Sequence, residues 1–445
     1  MHLQHPHHET MPSPSRREQY IAAYILSIIL RTIFQPSRSL EDLAQQLNID
    51  ISSITAIHQA RYLQSRSPVA KSGILHLAWE YAQSPSDHHR FISMLRLSPT
   101  VFQVVLSLIE DHPIFYNESN NSQAPVEVQL GVTLYRMGRY GNGASVEDIA
   151  RIAGCSEGAV ELYTKWCFTA IESLHDDHVH PPTDAEKEVE KCWIDQHLGF
   201  KGTWREGWVM YDGTIVVLYA KPGLNGDAYY TRKANYGLNL QVCSLFSGTL
   251  LLINFQIGNL PSNLRIVDYS HGLTGSAHDA WAFESTAAAK YPDWFFKNEE
   301  FAWVDSAYPL TPQTIPVHKK PASLLPENAT FDRAVANLRV RSEHCMGALK
   351  GRFQCLRGLR VTINNNRQHI AACQWMTIAI ILHNIVVEVE GTHADYFASG
   401  HTQAQEQEDC GIQDDEGLTQ ERVSDQGGDA KRKRLIEELL AFKNL

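Results

Sequence analysis

Three carboxylates have the setting that metal-assisted chemistry needs. Asp212 closes the apolar run Trp208-Val209-Met210-Tyr211, and Asp305 closes Phe301-Ala302-Trp303-Val304. Glu343 lies late in a proline-free stretch from Asp332 to Phe353. There Val335, Leu338, Cys345 and Leu349 recur at helix-face spacing, with Arg339, Glu343, Gly347 and Lys350 on the neighbouring face. Taken alone, Glu343 among Arg339, Arg341, Lys350 and Arg352 reads as a surface ion-pair ladder. With two strand-end aspartates upstream it becomes the third corner of an all-oxygen site, the donor set that Mg²⁺ or Mn²⁺ takes. Two such ions, ~4 Å apart, activate a water and stabilise the leaving 3′ oxygen of a phosphodiester. Arg341, Lys350 and Arg352 are the expected phosphate contacts beside them.

Charge distribution favours a polyanionic partner despite a formal net charge of -11 over 445 residues. Residues 391–429 hold ten acidic groups and one basic, Arg422, for a net of -9. Residues 331–368 hold eight basic groups against Asp332 and Glu343, a local +6, and local charge is what double-stranded DNA senses. Eight scattered cysteines without a Cys-x-x-Cys pair argue against a zinc framework or a disulfide scaffold. The apolar run Tyr24–Ile33 is too short to span a bilayer, so no membrane partner is expected. Lys431-Arg432-Lys433-Arg434 reads either as a nuclear-import signal or as a solvated helix start, and points to the nucleus, with the cytoplasm as the alternative.

The elements that must position the carboxylates follow in order. Residues 1–18 read as a disordered leader and 19–112 as a helical region, with a linker at Pro113–Pro125. Within 126–200, Ser145 to Val160 reads as helix, Gly154 turn, helix: a helix-turn-helix whose second member offers Glu157 and Glu161 against Lys165. Residues 201–390 carry strand signals at Trp208–Ala220, Tyr229–Leu245, Leu264–Tyr269 and Phe301–Ser306, then the Glu343 helix and an apolar helix from Ala371 to Val389. The fold class is therefore α/β with a mixed sheet behind an all-helical region. An acidic disordered tail covers 391–429, and a short basic, amphipathic helix 430–445. Asp279 opens a helix after Gly275-Ser276-Ala277-His278; it is either that helix's N-cap or a fourth metal ligand, with His278 as turn residue or phosphate contact. Asp268 reads as structural.

Five pieces carry a resemblance: Asp212-Gly213-Thr214; Asn235-Tyr236-Gly237-Leu238-Asn239-Leu240-Gln241; Gly275 to Asp279; Asp305-Ser306-Ala307-Tyr308-Pro309-Leu310; and Arg341 to Phe353. In order and spacing, over about Trp208–Val387, they resemble the PIF/Harbinger-type transposases and transposase-derived nucleases. That resemblance implies an RNase H-like DDE nuclease domain with Asp212, Asp305 and Glu343 as catalytic metal ligands, two Mg²⁺ or Mn²⁺ ions, and cleavage or transfer of DNA strands. It also implies a Myb-like DNA-binding companion protein, and a homodimer is a further partner expectation. One departure stands out: Phe246–Gly258 intervenes before Pro261-Ser262-Asn263, either as a longer hairpin or as sequence foreign to the fold. If it broke the sheet, the protein would be a catalytically inactive, domesticated DNA-binding or scaffold protein. A third reading, an RNase H-like exonuclease, shares the metal site and differs in preferring free ends.

Overall fold

The computed structural model describes residues 15–60, 63, 73–116, 122–223, 237–238, 255–270, 283–391 and 425–443. The expected leader as far as residue 14, the acidic segment 392–424, most of the Tyr229–Leu245 strand region, residues 246–254, His278 and Asp279 lie outside the described residues. The chain forms two compact units, Met1–Val69 and Ala70–Leu445. In the first, helices α1 (Arg16–Phe34) and α2 (Leu40–Gln59) form a hairpin, each started by a serine cap, Ser15 and Ser39. The one buried residue of these two helices is Asp50, held by Arg31.

The second unit begins with α3 (Leu77–Ala82), α4 (His88–Leu95), α5 (Pro99–Ile109) and α6 (Val126–Met137). Two further helices, α7 (Val146–Ala153) and α8 (Glu157–Glu172), meet at a turn where Gly154 adopts φ +66°, a conformation that favours glycine. Ser145 and Ser156 accept the amide N–H of Asp148 and Ala159, so each helix has its own N-cap. After α9 (His175–His178) and α10 (Asp184–Leu198) comes the sheet.

Seven strands are described: β1 (Val209–Thr214), β2 (Val216–Val217), β3 (Gly237–Leu238), β4 (Phe255–Asn259), β5 (Ile266–Tyr269), β6 (Ala302–Val304) and β7 (Thr314–Pro316). Five of them form one sheet in the order β5-β4-β1-β6-β7, antiparallel from β5 to β1 and parallel from β1 to β7; β2 and β3 pair separately. The remaining helices are α11 (Ala287–Lys290), α12 (Pro292–Phe295), α13 (Pro326–Arg352), α14 (Asn366–Glu390) and α15 (Gln426–Lys443).

Side-chain alternation divides the sheet's two faces. Met210, Trp303 and Ile315 pack against Phe331, Val335 and Leu338 of α13 and Leu435 and Leu439 of α15. Val209, Tyr211, Ala302 and Val304 pack on the other side with Phe283, Phe295 and Phe296. Ile257 and Ile266 join a core that runs through α4 to α8 and α14, so the segments 73–112, 126–200 and 201–390 share buried contacts. Asn366–Glu390 is apolar and long enough to cross a bilayer, and it is the buried centre of that core. His383 and Asn384 are its polar ties to the sheet, donating to the Leu264 carbonyl (2.9 Å) and exchanging two hydrogen bonds with Ile266 (2.9 and 2.7 Å).

Of the Phe246–Gly258 segment, only the last four residues lie within the described residues. Phe255, Gln256, Ile257 and Gly258 belong to β4, which pairs with both β1 and β5 and is thus central to the sheet. Gly258 lies opposite Tyr211, and a Cβ there would meet the ring at 2.6 Å. The antiparallel neighbour of β1 therefore comes from Phe255–Asn259, at the end of the Phe246–Gly258 segment, while Gly237–Leu238 pairs with β2.

Candidate active site

Strand register brings the two aspartates level. β1 and β6 run parallel with Val209 opposite Ala302 and Met210 opposite Trp303, and Asp212 and Asp305 each lie two residues beyond that last pair. Two residues beyond Met210 and Trp303, both face the side of the sheet that α13 covers. Each carboxylate accepts the N–H of the next residue: Asp212 Oδ1 that of Gly213 (2.9 Å), and Asp305 Oδ1 that of Ser306 (2.6 Å). Both stay part-exposed, with side chains 26% and 42% accessible.

Between them sits Arg339 of α13. Its Nη2 is 3.4 Å from Asp212 Oδ1 and its Nη1 3.4 Å from Asp305 Oδ1, so one guanidinium spans both carboxylates. Sequence reasoning places Arg339 on the Glu343 face but leaves it out of the site; its position one turn before Glu343 is the available signal. Glu343 is exposed. Four residues after Arg339 on one helix face, its Cβ is ~6 Å from that of Arg339.

Helix α13 is fixed above the strand ends by neighbours of these residues. Ser342 Oγ donates to Asn259 Oδ1 of β4 (2.9 Å), both buried. Arg341 donates from Nε to the Pro261 carbonyl (2.6 Å) and from Nη2 to that of Ser262 (3.1 Å), and Lys350 Nζ donates to the Ile215 carbonyl (2.8 Å). Sequence reasoning puts Arg341 and Lys350 at phosphate; the structure engages them with backbone carbonyls of the sheet's loops. Arg352 is a clear correction. It is buried, 2% exposed, and donates to the Arg96 carbonyl (3.0 Å), and burial lowers its pKa to about 10. Its spacing puts it on the inward face of the last turn.

Beneath the site, Tyr211 donates to Asp268 (2.5 Å), which also accepts the N–H groups of Ala287 and Ala288 (3.2 and 3.1 Å). Burial pushes the Asp268 carboxyl above its ordinary range. Asp268 thus has the structural role that its sequence context suggests. Tyr308, three residues after Asp305, donates to Gln256 of β4, tying the second aspartate's turn to the central strand.

Among the described residues no three His, Cys, Asp or Glu side chains form a ready-made metal cage. The donor chemistry nevertheless fits a hard divalent ion: two oxygen-only side chains at adjoining strand ends, a third one turn along the covering helix, and an organic cation already seated between the pair. Three of the basic quartet of α15 make contacts within the fold. Lys431 is 9% exposed and donates to the carbonyls of Glu299 (3.0 Å) and Pro312 (2.8 Å), Arg432 pairs with Asp429 (3.3 Å), and Arg434 with Glu299 (2.6 Å). Only Lys433 of the four is mostly exposed, with its side chain 78% accessible.

Residues 211–384 match a family described as DDE superfamily endonuclease. Neither the curated proteins nor the solved structures give a match to the chain.

Proposed function

Because residues 211–384 match the DDE superfamily endonuclease family, we propose that the protein cuts DNA phosphodiester bonds using divalent metal held by Asp212, Asp305 and Glu343. The observation that supports it is the single guanidinium spanning both aspartates at neighbouring parallel strand ends. A mixed sheet crossed by the helix that bears the glutamate supports an RNase H-like reading, and the motif order supports a Harbinger-type one.

When bound, a pair of Mg²⁺ or Mn²⁺ ions supplies an activated water and stabilises the leaving 3′ oxygen. The chain's own contribution is positioning. The Gly213 and Ser306 N–H groups fix one oxygen of each aspartate, leaving the part-exposed carboxylates open towards solvent. The Ser342–Asn259 hydrogen bond holds α13 over β4, which sets the height of Glu343. The exposed side chains of α8, Glu157 and Glu161 beside Lys165, suit DNA reading poorly, so target choice is assigned to a Myb-like companion. The substrate is double-stranded DNA and the site of action the nucleus, and a homodimer would place two such sites on one DNA.

The inactive, scaffold reading drew its support from Phe246–Gly258, and the part of that segment within the described residues pairs on both edges. Nicking of supercoiled plasmid tests the proposal. The parent protein should nick with Mg²⁺ or Mn²⁺ and stop in EDTA, and D212N, D305N and E343Q should each lose roughly a hundredfold or more. An E343Q protein as active as the parent would refute the assignment.

A further inference from the structure

Arg339 and Arg341 lie two residues apart on α13 and are held in different ways. Arg341 sits in a built socket, with Nε 2.6 Å from the Pro261 carbonyl, Nη2 3.1 Å from that of Ser262, and its guanidinium over the Trp193 ring. Among the described residues Arg339 has two carboxylate contacts, both 3.4 Å, well beyond the ~2.7–2.9 Å of a strong charge-assisted bond. Its Nε is buried without a hydrogen-bond partner. Coulombic attraction to a pair of like charges therefore holds this guanidinium, through contacts longer than those of the Arg341 socket.

We propose that Arg339 is an internal counter-ion that occupies the cation position between Asp212 and Asp305 and is displaced by the divalent metal. This rests on the metal-dependent reading above. Without a cation, two carboxylates level on adjoining strands repel each other, and the strand ends would splay. Arg339 keeps them converged in the metal-free protein. Its loose contacts let a doubly charged ion replace it. The consequence is a trade: metal-free stability rises and metal affinity falls.

Calorimetric titration of the full chain with Mn²⁺ after EDTA treatment tests this, using the parent, R339Q, R339K and D212N. R339Q should bind Mn²⁺ roughly tenfold more tightly than the parent, since two part-exposed ion pairs no longer compete. The metal-free R339Q protein should melt below the parent, and saturating Mn²⁺ should raise its melting temperature by more than it raises the parent's. R339K should lie between the two, because an ammonium is a point charge and cannot span both carboxylates. D212N should lose binding, which locates the titrated site. Equal or weaker Mn²⁺ binding by R339Q and R339K, with parental binding that D212N abolishes, overturns the counter-ion role and leaves the metal reading intact. Absence of Mn²⁺ binding from every protein overturns both.

Discussion

Gly258→Ala decides whether β4 lies where the active site needs it, because the sign of its effect differs between two arrangements. In an open strand position, replacing glycine with alanine stabilises by about 0.4–1 kcal/mol through the unfolded chain. Gly258 has no positive φ that would forbid a side chain. Opposite Tyr211, however, the new Cβ would lie 2.6 Å from Cζ, 2.8 Å from Cε1 and 2.9 Å from the hydroxyl oxygen. That ring is fully buried, packed edge-on against Phe283 and bonded to Asp268, so it has little room to retreat. Overpacking costs ~1–3 kcal/mol. Stretching the hydrogen bond to the Asp268 carboxyl adds ~1–2 kcal/mol. The expected outcome is net destabilisation of ~1–4 kcal/mol, read as a lower urea midpoint with the slope unchanged. In a Tyr211→Leu background the clash atoms are gone, and most of the Gly258→Ala cost should vanish, giving a coupling of ~1–3 kcal/mol. Stabilisation by Gly258→Ala, or additivity with Tyr211→Leu, would mean that β4 does not face β1 in this register and that Asp212 is not held as described.

Two other perturbations follow from the same packing. Lys187, buried with Glu300 at 2.8 Å and also donating to the Phe295 carbonyl, ties α10 to the strand that leads to Asp305. K187M should cost ~3 kcal/mol in urea unfolding, reduced where Lys191, 3.0 Å from Glu300, takes over the charge, and a loss below ~1 kcal/mol would refute the buried tie. Burial lowers the His383 pKa to about 4 from an ordinary 6.5, so the unfolded chain binds the proton first; stability from this group is complete above pH 6.5 and falls as pH drops towards 4, by at most about 1.4 kcal/mol per pH unit. His369, also lowered to about 4 by burial, acts in the same sense, and H383Q should flatten the acid limb of a melting-temperature profile; an unchanged limb would refute the assignment.

The carboxylate pair was legible because strand-end aspartates leave a local signature, an apolar β-rich run ending in Asp, and α13 was legible from its 3.6-residue period. The strand Ile266–Tyr269 and the capped helices on either side of Gly154 were legible for similar reasons. The strand between β1 and β5 was not. Tyr229–Leu245 has the stronger strand composition, yet Phe255–Asn259 is the segment whose alternation meets the sheet on both edges: Ile257 enters the core, Gly258 admits Tyr211, and Asn259 receives Ser342. Such fits belong to partner residues far away in sequence, and composition within a window cannot contain them. Both ends of the helical segments were also displaced: α1 starts at Arg16, inside the expected leader, and α15 at Gln426, inside the expected tail.

The charge count misled for a related reason. Eight basic residues between Phe331 and Gln368 suggested one phosphate-binding segment, but a cation attracts a phosphate only if no nearer acceptor claims it. Arg341, Lys350 and Arg352 donate to carbonyls of Pro261, Ser262, Ile215 and Arg96, and Arg339 to two aspartates. Arg333, Arg360 and Arg367 are the exposed members, and Arg360 also reaches the Gly141 carbonyl and stacks over Tyr219. Basic side chains on a helix that crosses a sheet thus divide by face: those turned inward fasten the loops that shape the site, and only those turned outward can act on DNA. A helix can therefore look like a nucleic-acid-binding segment in sequence while four of its five basic side chains, Arg339, Arg341, Lys350 and Arg352, are engaged within the fold.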